Sequence, residues 1–242
     1  MRLQKEQFLV AITTISAKYG ALGNSWQDKI KEIDEIGLKK AAIFLTCLNK
    51  KQRQEMYGLL EKTSLKKIPF AHIKSDMDQS ELDYLASRFK TRVFNTHSER
   101  QFPFEHNLEQ YKKQIFIENT LPWDKQEIKK FAGLCLDFSH LHDDELLHKE
   151  NYLHNLEVLK EFTVGCNHIS ATSKSLLTAT EDGRTNIQHY DKHLFSDLSE
   201  FDYLQNYPPE LFSNFCAMEL ENSLAEQLTA IDYIVKLLNH EP

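Results

Sequence analysis

A chain of 242 residues, 41% hydrophobic and 27% charged with 7 Gly and 6 Pro, can bury one large core, and its composition excludes disordered, collagen-like and disulfide-scaffold classes. A formal charge of −7 argues against a protein that coats nucleic acid electrostatically, without excluding an enzyme that acts on DNA. No apolar run approaches the roughly 20 residues that a membrane-spanning helix needs.

The opening Met1-Arg2-Leu3-Gln4-Lys5-Glu6 leads into a stretch too short and too polar for a signal peptide. Cys47, Cys135, Cys166 and Cys216 are widely spaced, lack a CxxC, and read as small hydrophobic residues kept reduced. A cytoplasmic protein is the expectation.

In chain order, a first strand is predicted over Gln7–Thr13, followed by a helix over Trp26–Ile36 that puts Ile30, Ile33 and Ile36 on one face. Strands follow at Lys40–Cys47 and Ile68–Ile73, then a helix over Ser80–Arg88 with Ser80 as its N-cap. The fourth to sixth strands are predicted at Arg92–His97, Gln114–Asn119 and Ala132–Phe138. A polar connection, Ser139–Asn151, precedes the seventh strand at Phe162–Ile169, and a longer one, Ser170–Asp202, precedes the eighth at Phe212–Glu221. The last helix, Ser223–Leu238, carries Leu224, Leu228, Ile231, Ile234, Val235 and Leu238 at helical spacing. Strands alternating with helical stretches predict parallel βα units. With no linker or composition break, residues 1–242 are read as a single α/β domain, a (β/α)8 TIM barrel.

Chemistry gathers where the predicted strands end. The third ends in His72, the fourth in His97, the fifth in Glu118, the sixth in Asp137 with His140 just beyond, the seventh in His168, and the eighth in Glu219 and Glu221. In a (β/α)8 barrel the C-terminal strand ends line one cavity. A buried, unpaired carboxylate there costs several kcal/mol, and a divalent cation removes that penalty. Glu118, Asp137, His168 and Glu221 form the expected ligand set. Glu221 is preferred over Glu219 because it lies nearer the strand end and because Leu220-Glu221-Asn222 parallels Ile117-Glu118-Asn119. Mixed imidazole and carboxylate donors favour Zn, Mn, Co or Fe over Mg or Ca.

These strand ends resemble the xylose-isomerase-like barrel superfamily, which contains sugar isomerases and epimerases and the endonuclease IV-type AP endonucleases. The epimerase branch implies one metal on Glu118, Asp137, His168 and Glu221, with His140 of Asp137-Phe138-Ser139-His140 touching substrate. The endonuclease branch implies further ions on His72 and His97, and on His140 with the Asp191-Lys192-His193 pair. The glycines that accompany the strand-four His and the Asp-x-His loop in the endonucleases are absent around His97 and His193, and the short βα units offer few groups for prising open a duplex.

The leading expectation is therefore a sugar or sugar phosphate isomerase or epimerase, in which Glu118 and Glu221 exchange protons with a metal-held substrate and His140 holds a hydroxyl. Lys174 and Arg184 are expected anchors for a phosphate or carboxylate. A multi-metal phosphoesterase is the alternative, and a metal-binding barrel without catalysis is the third reading.

Overall fold

Short parallel strands form a ring, as the alternation of apolar strands and amphipathic helices predicts. The computed structural model describes residues 2–20, 23–181 and 184–239, with the side chains of residues 19, 180, 181, 184 and 185 outside the description. Strands β1 (Phe8–Leu9) and β2 (Ala11–Ile12) are two segments of one stretch interrupted at Val10. They are followed by β3 (Ala42–Phe44), β4 (Phe70–His72), β5 (Val93–Thr96), β6 (Ile115–Glu118), β7 (Gly133–Asp137) and β8 (Val164–Ile169). A hairpin of β9 (Ala171–Glu181) and β10 (Arg184–Lys192) intervenes before β11 (Cys216–Met218). The nine-stranded sheet runs β1-β11-β8-β7-β6-β5-β4-β3-β2. Because β1 pairs with β11 and β2 with β3, the interrupted first strand closes the ring, and the architecture is that of a TIM barrel.

Around it lie α1 (Ser16–Tyr19), α2 (Trp26–Glu35), α3 (Lys50–Leu60), α4 (Gln79–Phe89), α5 (Lys125–Ile128), α6 (Phe138–Leu147), α7 (Lys149–Leu159) and α8 (Leu224–Asn239). Among the described residues no helix is long and apolar enough to cross a membrane.

Side chains that alternate along each strand sort into two cores. Val10, Ile43, Ala71, Phe94, Ile117 and Leu136 join the layer between sheet and helices. Leu9, Ala42, Phe44, Phe70, Val93, Cys135, Cys166 and Ala217 fill the barrel interior. Phe116 packs against this inner cluster, and a Cβ on Gly165 would fall 2.0 Å from its ring. The β7–β8 register slips between Leu134 and Cys135, so a glycine at this irregularity makes room for the aromatic ring.

Closure is reinforced from outside. The Gln227 side chain on α8 accepts from the Ala11 amide at 2.7 Å and donates to the Ala11 carbonyl at 3.1 Å. It also donates to the carbonyls of Leu220 at 3.2 Å and Asn222 at 3.1 Å.

Several predicted elements differ in extent or type. The polar connection Ser139–Asn151 is mostly helix, because Asp137 caps α6 by accepting from the amides of Ser139 and His140. The connection Ser170–Asp202 is mostly the β9–β10 hairpin, which then runs into a 3-10 segment at Leu198–Asn206. Helix α4 is capped by Asp78, whose side chain accepts from the Glu81 amide, and Ser80 lies inside the first turn. The predicted eighth strand, Phe212–Glu221, contracts to β11, and the chain leaves the sheet after Glu219, whose amide still donates to the Ile169 carbonyl at 2.9 Å.

Candidate metal centre

The inward-facing position two residues beyond the apolar layer is polar on strand after strand: Glu118 beyond Phe116, Asp137 beyond Cys135, His168 beyond Cys166 and Glu219 beyond Ala217. The parallel register sets Asp137 beside His168 and His168 beside Ala217. Side-chain donors from successive strands therefore meet above an apolar floor. Phe44 forms part of that floor, its ring 5.5 Å from His72 and 4.8 Å from His168.

Glu118 is the hub. Its Oε2 lies 3.7 Å from His72 Nε2, 3.9 Å from His97 Nε2 and 3.4 Å from His168 Nδ1. Its Oε1 lies 3.6 Å from His140 Nδ1. Asn95 Nδ2 donates to Oε2 at 3.1 Å and fixes the carboxylate plane. His168 Nδ1 also stands 3.6 Å from Asp137 Oδ2 and 3.1 Å from Glu219 Oε2. Three donor groups that could hold an ion result: His72, Glu118 and His168; Glu118, Asp137 and His140; Asp137, His168 and Glu219.

The Asp191–His193 pair at the foot of the hairpin joins the same end of the barrel. His193 Nε2 is 3.2 Å from Asp191 Oδ2, and its Nδ1 is 3.2 Å from the Glu219 carbonyl oxygen.

Burial and charge set the protonation of this cluster. Burial pushes Glu118 up, but the imidazoles of His168 and His97 outweigh it and hold the carboxyl well below its usual range. Asp137 is likewise pushed up by burial and pulled down to about 2, chiefly by His140. His140 resists desolvation and rises to about 10 under Asp137 and Glu118. Burial also works against protonation of His193, which rises to about 9 beside Asp191. His72 goes the other way: burial drives it well below its ordinary value, so it stays neutral.

The residues fit a metal. Both nitrogens of His72, both of His168, Asp137 Oδ2, His140 Nδ1 and Asp191 Oδ1 are buried without a hydrogen-bond partner. Each such atom costs about 1–3 kcal/mol if left unsatisfied. The carboxylate oxygens, and one nitrogen of each imidazole once His140 and His168 have released their protons, are lone-pair donors that a divalent cation would engage, and the imidazole–carboxylate mixture suits Zn, Mn, Co or Fe. Asp137 shows how its two oxygens divide the work. Oδ1 accepts from Ser139 N at 2.7 Å, Ser139 Oγ at 2.6 Å and His140 N at 3.1 Å, which leaves Oδ2 turned toward His168.

Among the expected ligands Glu118, Asp137 and His168 come together, with His72, His97, His140, Asp191 and His193 around them. Glu221 does not join them. Its carboxylate is buried against Lys29, with Nζ 3.5 Å from Oε1, and its Oε2 accepts from the Ser16 amide at 3.2 Å. Lys29 Nζ also donates to Thr13 Oγ1 at 2.6 Å and to the Leu220 carbonyl at 3.0 Å. Alternation from Glu219 to Glu221 fails because β11 ends at Met218. The Leu220 amide turns back to the Met218 carbonyl at 3.1 Å, which rotates the next side chain out of the cavity.

Lys174 is exposed on β9 and donates to Ser199 Oγ at 3.0 Å, outside the donor cluster. Arg184 begins β10, and its side chain lies outside the described residues. Asn95 was missed by sequence reasoning, although it stands two residues before His97 and so shares its strand face.

No protein-family model and no curated protein matches the chain. Among solved structures it is similar to a protein of Rhodospirillum rubrum described as a "Putative Xylose isomerase". The likeness spans 97% of this chain and 100% of that one, at 12% identity and a TM-score of 0.47. A likeness of that degree carries no argument about chemistry.

Proposed function

We propose that the protein is a divalent-metal-dependent enzyme whose centre takes more than one ion and hydrolyses a phosphate ester. The observation that supports this reading is Glu118, whose two oxygens face different donors, Oε1 toward His140 and Oε2 toward His72, His97 and His168. A carboxylate so placed suits a bridge between ions, and the surrounding imidazoles and carboxylates exceed the four to six ligands that one such ion uses. Bound there, the ions would supply Lewis acidity toward a phosphoryl oxygen and lower the pKa of water. His72, His168 and Glu118 would hold one ion, with His97 and Glu219 beside it, and Glu118, Asp137 and His140 another, with Asp191 and His193 beside it. The apolar floor keeps bulk water from the inner face of the site. The short connections and the net charge favour a small phosphate ester over a DNA duplex.

A second reading, a one-ion sugar or sugar phosphate isomerase or epimerase, draws on one observation. Glu118 and Glu219 approach the same His168 nitrogen, at 3.4 and 3.1 Å. Such a pair of carboxylates could pass a proton to and from a carbon held between them. In that reading Glu219 takes the role expected of Glu221.

The deciding experiment is elemental analysis of protein purified without chelators, together with the Asp191→Ala variant and assays on p-nitrophenyl phosphate esters and on sugars. Two or three ions per chain, falling in Asp191→Ala together with phosphoesterase turnover, is the expected result. One ion per chain, unaffected by Asp191→Ala and accompanied by sugar isomerisation, would overturn the first reading in favour of the second.

A further inference from the structure

The opposite end of the barrel carries a second feature. A cavity of about 420 Å³ opens at the N-terminal ends of the strands, within the range of roughly 300–1,000 Å³ that small-molecule sites occupy. Leu9, Pro69 and Phe215 give it an apolar floor, and Lys40, Lys67, Lys90 and Arg92 stand around it.

In a chain where 36 acidic residues outnumber 29 basic ones, these four cations pair with no carboxylate among the described residues. The Lys40 ammonium donates to the Glu6 carbonyl at 3.0 Å and the Lys90 ammonium to the Ser87 carbonyl at 2.9 Å. Lys40 and Lys67 are bridge partners on neighbouring parallel segments, so two basic residues occupy paired backbone positions at the cavity.

Helix dipoles explain only one of the four. Lys90 is the left-handed C-cap of α4, with φ 61°, where a cation offsets the negative helix end. Lys40 and Lys67 instead lie in the segments that lead into β3 and β4, and Arg92 immediately precedes β5. The exposed neighbours Lys39 and Lys66 widen the positive field.

We infer that this basal cavity binds a nucleotide phosphate, free or as one unit of a nucleic-acid strand, with the phosphate among Lys40, Lys67 and Arg92 and the base against Phe215. Cations around an aromatic floor are the combination that holds a phosphate and stacks a base. The site is separate from the metal-binding end and stands whatever reaction occurs there.

The test is calorimetric titration of the full-length protein at low salt with AMP, inorganic pyrophosphate and a single-stranded RNA decamer. It is repeated on Lys67→Glu/Arg92→Glu and Phe215→Leu, each checked for an unchanged melting profile, and on Glu118→Gln, checked to be folded at the assay temperature. AMP is expected to bind the parent chain. The double charge reversal is expected to weaken it by about tenfold or more, the loss of two charge-assisted contacts, without changing turnover at the other end. Phe215→Leu should weaken AMP while sparing pyrophosphate. A decamer much tighter than AMP assigns a strand as the source, and equal affinities assign the free nucleotide. No binding of any probe at millimolar concentration, affinity indifferent to the charge reversal, or binding abolished by Glu118→Gln instead would each overturn the inference.

Discussion

Replacing Glu221 with Ala removes one member of an ion pair in which both side chains are fully buried. Breaking such a pair by deleting one partner costs about 3–5 kcal/mol, because the remaining charge is stranded. With an unfolding entropy of about 2.1 cal/mol/K per residue, the chain loses about 0.5 kcal/mol per degree near its midpoint, so the melting temperature should fall by roughly 6–10 °C. Burial already depresses Lys29 to about 8 against the pull of Glu221, and the variant lowers it further. A folded-state lysine pKa below the unfolded value means that the unfolded chain binds more protons, so stability rises with pH through that interval. The deficit of Glu221→Ala should therefore be full below the variant's lowered Lys29 pKa, shrink as pH rises from there to about 8, and stay constant at higher pH, where Lys29 is neutral in both proteins. The assay is thermal and urea unfolding across that range, with metal content measured on folded protein in the cold. Glu221→Ala should keep its metal, Glu219→Ala should lose metal while differing little in stability from the parent when both are measured in EDTA, and Lys29→Met/Glu221→Leu should recover most of the deficit. A Glu221→Ala protein that is as stable as the parent but stripped of metal would refute this assignment.

Chelation should lower the melting temperature by roughly 8 °C for each ion removed, the equivalent of about 4 kcal/mol for an ion present at a thousandfold over its dissociation constant; scans with and without EDTA that superimpose would count against a metal centre. Metal affinity should rise from pH 6 to pH 8 and begin to level near pH 9. His140 and His193 hold protons up to about 10 and 9 in the metal-free site and must release them on binding. Calorimetry in buffers of different ionisation enthalpy reads that release directly, and a flat affinity would oppose it. Gly165→Ala should cost about 1–3 kcal/mol of stability by urea unfolding, since the added methyl would collide with Phe116.

The barrel was legible because the chain repeats one local rule, an apolar strand core ending in a polar residue, and because His72, Glu118, Asp137 and His168 all obey it. Legibility stopped where a strand stopped. Glu219 and Glu221 are equivalent under alternation, and only the turn after Met218 separates them. Helix α6 was hidden because its inward stripe is confined to Phe138, Ser139 and Leu141, while its remaining length reads as loop. The β9–β10 hairpin was hidden for a related reason: Lys174, Ser175 and Leu176 are successively exposed, so no half-buried alternation marks β9 as a strand. Lys29 was invisible as an ionic partner because its helix is recognisable from Ile30 and Ile33 alone.

The seam at Ala11, stitched by Gln227 from 216 residues away along the chain, gives synthesis a direction. A ribosome makes β11, with Glu219 just after it, and then Gln227 only after the other strands have emerged. Until then the nascent sheet has two raw edges, at β1 and β8, and three of the four inner donors wait beside a gap. Ring closure and completion of the metal cradle are thus one late event, and a chain stalled before residue 216 would offer those edges to chaperones or to other stalled chains.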